Sequence, residues 1–297
     1  MIKRAGKWRR FLPKRATISL PLPSTNELFS TARAIAESVP TKDFGALDAR
    51  IASFKQGIDE LDASQWLALL IMQAPRAAHA QAIMDEYPHG YHDREKRLYE
   101  LIDFNDTFVS CVLLLPEDKL ASFPGLLKVE LDLFCQKMYS RAFDDEQFEA
   151  IVHGLSREIA VFKAAENAGL QALMSSRTAD AFGIDMQIAD ASTGRYINID
   201  CKTSSSFHFR LKTLVKQHRI HPHDTIDAET KGWWEIVNRD DAGRGVKIIL
   251  LRVSQDELGE IRDFRFVNEQ AMVEKLKIIL SQRSLNDGQY GGRFDEK

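Results

Sequence analysis

Cysteine is scarce in this chain: Cys111, Cys135 and Cys201 are the three among 297 residues, and no two of them form a CxxC pair. A disulfide framework, a zinc ribbon and a four-cysteine iron-sulfur cluster are thereby excluded, and a reducing cytoplasm is the expected setting. Long apolar runs are missing as well. The longest, WLALLIM at 66–72, falls short of the roughly 18 residues that a membrane-spanning helix needs, and no signal-peptide core follows the basic start, so no membrane partner is expected.

Acids are absent from residues 1–26, where Lys3, Arg4, Lys7, Arg9, Arg10, Lys14 and Arg15 stand unopposed. The formal charge of −3 therefore leaves the rest of the chain at −10 once those seven cations are set aside. Affinity for a polyanion must then come from local patches rather than from the overall field. An acid-free, arginine-rich start also resembles an organellar transit peptide.

With 297 residues and 44% of them hydrophobic, the chain has material for two modest cores. After a basic arm at 1–23, apolar residues recur at helical spacing: Leu28, Phe29, Ala32, Ile35, Ala36 and Val39, then Leu47, Ile51, Phe54, Ile58 and Leu61. Further helices are expected at 64–73, 77–86, 93–104 and 126–139, punctuated by Pro75, by Pro88 with Gly90, and by Pro116 and Pro124. Residues 24–143 thus read as an all-helical domain. A second domain, 144–283, opens on a helix whose capping box pairs Asp144 with Gln147, and a loose tail follows at 284–297.

From about 183 the period changes from helical to two. In GIDMQIADASTGRYINIDCK, residues 183–202, Ile184, Met186 and Ile188 share one face of a first run and Asp185 lies on the other. In the second run Ile197, Ile199 and Cys201 oppose Tyr196, Asn198, Asp200 and Lys202. A turn centred on Ser192 and Thr193 makes paired residues sum to 385, which sets Asp185 opposite Asp200. Opposed carboxylates repel unless a cation lies between them, and Mg²⁺ suits such a hard oxygen site. The alternative is a surface hairpin whose acids are simply solvated. Upstream, Glu158 sits beside the stripe Ile151, Leu155, Phe162, where a carboxylate is costly unless paired.

SREIAVFKAAENAG, DAFGIDMQI and INIDCK together resemble the PD-(D/E)XK nuclease superfamily: a glutamate on the helix before the sheet, an aspartate after Gly-Ile, and Asp-x-Lys on the next strand. The resemblance covers about a third of the chain. It implies an α/β (α+β) restriction-endonuclease-like fold, a mixed β-sheet core flanked by helices. It implies metal ligation by Asp185, Asp200 and the Cys201 backbone carbonyl, with Glu158 auxiliary and Lys202 as catalytic lysine. The activity implied is Mg²⁺-dependent hydrolysis of DNA, with Mn²⁺ as substitute, to 5′-phosphate and 3′-hydroxyl ends, and a type II restriction endonuclease is the leading expectation. The chain departs from the pattern at Ile184, where proline is usual. Asp180 stands where many relatives carry another acid, but a turn cap explains it equally well.

Residues 201–223 contain no acid, and Ser204, Ser205, His208, Arg210, Lys212, Lys216 and Arg219 are the expected contacts to double-stranded DNA. A solvated basic helix is the plainer reading. His218, His221 and His223 invite a weak zinc reading, and the pair Trp233–Trp234 is expected in the core more than at a stacking site. A homodimer, in which the helical domain grips DNA or mediates pairing, is the simplest way to cut both strands. A cytoplasmic, nucleoid-associated protein is expected. Repair, recombination or mobile-element nucleases, an RNA-directed enzyme and an inactive nucleic-acid-binding module of the same fold remain alternatives.

Overall fold

The computed structural model describes residues 25–87, 94–175, 179–180, 182–239 and 245–283. The basic arm, Pro88 with Gly90 and the C-terminal tail lie outside them. By its contacts the chain divides into two compact units, Met1–Leu155 and Ser156–Lys297. That division falls within a helix rather than at residue 144.

Five helices make up most of the first unit: α1 (Thr25–Glu37), α2 (Phe44–Gln56), α3 (Ala63–Glu86), α4 (Arg94–Leu114) and α5 (Phe123–Met138). α3 is the central one. Trp66 through Met72, Ala74, Ala77, Ala78 and Ala80 are all buried, because α1, α2, α4 and α5 pack around it. A helix enclosed in this way is apolar all round rather than along one stripe. The sequence predicts a break at Pro75, and α3 instead runs through it as one helix of 24 residues. Pro75 is itself buried, so the packing gained along the helix outweighs the backbone hydrogen bond that proline removes. Asp62 caps the start with a full capping box to Gln65. A deeply buried acid of this unit, Glu130 on α5, is held by a two-pronged bond from Arg33 of α1.

α6 (Asp145–Asn167) crosses the division. Its expected capping box is present: the Gln147 N–H donates to Asp144 Oδ1 (2.8 Å), and the Asp144 N–H donates to Gln147 Oε1 (3.1 Å). The second unit continues with β1 (Gln171–Met174), β2 (Met186–Asp190), β3 (Arg195–Lys202), α7 (Ser204–Lys216), α8 (Asp224–Lys231), β4 (Trp233–Arg239) and β5 (Gly245–Arg252). A short α9 (Gln255–Leu258), a two-residue hairpin of β6 (Ile261–Arg262) and β7 (Arg265–Phe266), and α10 (Glu269–Arg283) close it. The described residues therefore form a mixed α/β protein with ten α-helices and a five-stranded mixed sheet. No helix among them is long and apolar enough to cross a membrane.

Strand order is β1-β2-β3-β5-β4, antiparallel throughout except that β3 and β5 run parallel. A parallel neighbour demands a crossover, and the chain makes it through α7, α8 and β4. α7 packs on β3 and β5, and α10 packs on β3. Phe207, Leu211 and Leu214 of α7 share a core with Ile236, Val246, Ile248 and Leu250 of the sheet, with Trp234 packed against it. Trp233 is buried too, so both rings of the tryptophan pair serve the core.

Candidate active site

The β2–β3 hairpin has the register that the sequence predicts. Met186 pairs with Ile199, Gln187 with Asn198 and Ile188 with Ile197, each pair summing to 385. Asp185 immediately precedes β2, and its N–H donates at 2.8 Å to the carbonyl of Ile199, which is already the partner of Met186, so the regular pairing stops one residue short of Asp185 and Asp200. A bend in the chain at Gly183, with φ of 87°, delivers Asp185 to that place.

The reading of a surface hairpin with solvated acids is not what the structure contains. Both faces of the hairpin are covered: Ile184, Met186, Ile188, Ile197 and Ile199 on one side, Gln187, Asn198 and Tyr196 on the other. Asp200 is only 7% exposed. β3 lies between β2 and β5, and both α7 and α10 pack on it. Buried amides link the strands: Gln187 Nε2 donates to Asn198 Oδ1 (2.7 Å) and Asn198 Nδ2 donates to the Lys247 carbonyl (2.9 Å), while Gln187 Oε1 has no hydrogen-bond partner.

Around Asp200 the charges gather. Lys202, two residues on and on the same face, donates to Asp200 Oδ1. The Cys201 N–H donates to Asp185 Oδ2 at 2.6 Å, fixing that carboxylate against β3. Burial pushes the Asp185 carboxyl up to about 7, reinforced by the neighbouring Asp200 and opposed by Lys202. Asp200 is also raised by burial, with Lys202 and Arg210 pulling against it. Glu158 of α6 lies well above the carboxylate range because it is buried and faces Asp185, Asp180 and Asp200. Burial pulls the Lys202 ammonium down, but Asp200 and Asp185 outweigh it, so its proton is held more tightly than usual.

Asp180 is a fourth acid whose charge is felt at this site. Burial and Asp200 raise it to about 6. Its backbone carbonyl accepts the Gly183 N–H at 2.8 Å, so the turn that places Asp185 is held by main chain. The sequence offered two explanations for this residue and left it out of the expected site. The signal was its position five residues before Asp185, which spacing alone does not tie to a fold.

Among the described residues no three or more His, Cys, Asp or Glu side chains are grouped to hold a metal ion. Glu158 is therefore not a ready third carboxylate, and the histidine-rich stretch is no zinc site: His221 stacks on His223 at 5.5 Å, and His223 Nε2 meets Asp224 Oδ1 at 3.0 Å. What the hairpin does offer is two neighbouring carboxylates, Asp185 and Asp200, and the Cys201 backbone carbonyl. Those hard oxygen donors fit a Mg²⁺ that keeps several waters, and two like charges buried together fit a cation better than they fit each other.

α7 begins directly after β3. Thr203 caps it, its Oγ1 accepting the Ser206 N–H at 3.1 Å, and Ser204 and Ser205 lie exposed in the first turn. Lys212 and Lys216 are exposed and Arg210 half-buried. Two of the expected contact residues already have protein partners. His208 Nδ1 meets Glu229 Oε1 at 2.8 Å, and Arg219 donates to the Val237 carbonyl and to Asn238 Oδ1. No protein-family model, no curated protein and no solved structure matches the chain.

Proposed function

We propose that the chain is a divalent-metal-dependent DNA endonuclease of the PD-(D/E)XK type, with restriction as the narrower reading. The observation that carries this is the buried Asp200, held by Lys202, whose charge acts together with those of the half-buried Asp185, Glu158 and Asp180. Four acids held this way cost stability that a purely structural sheet has no reason to bear.

Asp185, Asp200 and the Cys201 carbonyl would hold the ion, which when bound supplies an activated water and neutralises charge on the phosphorus. The remaining work belongs to the chain. The Cys201 N–H orients Asp185 by binding its Oδ2, which leaves Oδ1 for the ion. Lys202, whose proton is held tightly by Asp200 and Asp185, serves as a cation toward a non-bridging phosphate oxygen rather than as a base. Asp180, raised to about 6, can exchange a proton near neutrality, and Glu158, raised by burial and by the neighbouring acids, can orient the attacking water. Attack on phosphorus with loss of the 3′ oxygen leaves 5′-phosphate and 3′-hydroxyl ends. The two-unit organisation leaves the helical unit for substrate grip or for pairing of two copies.

The inactive binding module stands as a second reading because, without an ion, Lys202 and the Cys201 N–H already satisfy one oxygen of each aspartate. Supercoiled plasmid and phage DNA incubated with Mg²⁺, Mn²⁺ or EDTA separate the two. Discrete, metal-dependent fragments that fall by about 10²-fold or more in Asp200→Ala and Lys202→Ala are expected for a site-specific nuclease. Smearing would point to repair or mobile-element roles, and binding without cleavage in every metal would leave the binding module.

A further inference from the structure

α7 carries two phenylalanines two residues apart with opposite fates. Phe207 is fully buried in the core shared with β5, whereas Phe209 is 72% exposed. An exposed single apolar residue is ordinary. Phe209 differs in its setting. Its helical neighbours at three, four and seven residues are Ser205, Lys212, Thr213 and Lys216, and no acid occurs anywhere on α7. The adjacent Arg210 is close enough to Asp200 to be felt by its carboxyl. The helix that presents Phe209 thus reaches back to the acid cluster through the very next side chain.

Resting on the nuclease reading above, we infer that Phe209 is a stacking residue, which packs its ring against an unpaired or unstacked nucleobase beside the phosphate held at Asp185 and Asp200. The reach is right. At 1.5 Å per residue, Phe209 stands about 7.5 Å along the helix from Ser204, roughly two base steps at about 3.4 Å each. The cations on α7 follow the backbone while the ring meets the base, the combination by which proteins bind single strands without reading sequence. A protein partner fits this face less well, because interface cores are depleted in charge and this aromatic is rimmed by lysines. The substrate class that follows is DNA with a locally opened strand, such as a gap, a flap or a flipped base, in preference to an undisturbed duplex.

The test measures binding in EDTA, so that no cleavage intervenes, to a short duplex and to the same duplex with a central single-stranded gap containing 2-aminopurine. Wild type is expected to prefer the gapped form and to quench the 2-aminopurine fluorescence. Phe209→Ala should lose about 5- to 100-fold on the gapped form with no quenching, which is the range for one lost base stack, while Phe209→Trp keeps both. The slope of affinity against salt should not change in Phe209→Ala, since no phosphate contact is lost, whereas Lys212→Ala should lower it by about one and weaken both DNAs alike. Equal binding and quenching by wild type and Phe209→Ala would overturn the stacking role and leave the nuclease reading standing. So would a change in self-association in Phe209→Ala with DNA binding intact, which would make this face a protein contact. Absence of nucleic-acid binding by the wild type would overturn both.

Discussion

Asp185 shows what burial does to one carboxyl in this fold. Its value of about 7 lies above the roughly 4 of an unfolded aspartate, so the folded chain keeps a proton that the unfolded chain releases. Between those two values folding is increasingly penalised as pH rises, and above about 7 the full penalty is present. Metal-free protein is therefore expected to melt lower at pH 8 than at pH 5. Asp185→Asn should remove much of that difference, gaining roughly 2 kcal/mol more at pH 8 than at pH 5 by calorimetry. Added Mg²⁺ should rescue the wild type at pH 8 and not the variant, because an ion that binds only the folded state stabilises it. Equal pH profiles for the two proteins would mean that Asp185 and Asp200 do not strain each other. Both aspartates and Lys202 were legible in the sequence, since strand alternation and a turn centre fix who faces whom. Glu158 was expected beside them through the family resemblance, whereas Asp180 was not, because its approach to β3 depends on packing.

At the scale of elements the junction of β3 with α7 matters most. Lys202 ends the strand, Thr203 caps the helix and Ser204 begins it, so a disturbance of the cap moves the lysine. Thr203→Ala should cost about 1 kcal/mol in urea unfolding, the usual value for a lost N-cap. If the cap also positions Lys202, cleavage should fall by more than that stability loss accounts for, with the deficit in kcat rather than KM. Another element-scale test is Gly232, the left-handed residue that ends α8 with φ of 68°. A methyl group there would meet Lys275 Nζ at 2.8 Å as well as strain the backbone, so Gly232→Ala should destabilise by about 1–2 kcal/mol. β4 and β1 were not foreseen from the sequence. β4 follows the tryptophan pair, whose bulk reads as core without showing a period, and β1 spans only four residues. α3 was foreseen as two helices because proline is a strong local signal, and burial on every side overrode it.

For the whole molecule, a net charge of −3 makes any DNA affinity a property of placement rather than of total charge. If α7 supplies the contacts through Arg210, Lys212 and Lys216, the logarithm of affinity should fall with the logarithm of salt at a slope of about −3. A slope near zero would remove α7 as the interface, and one far steeper would bring in the basic residues of 1–26. The sequence by itself determined the change from helical to strand periodicity, the hairpin register and the face shared by Asp200 and Lys202, because periods and turn centres are local quantities. Only the tertiary structure decided that the hairpin is buried on both faces, that β3 takes a parallel neighbour, and that Asp180 comes near the same carboxylates. Those depend on contacts between residues far apart in the chain, which a local pattern does not encode.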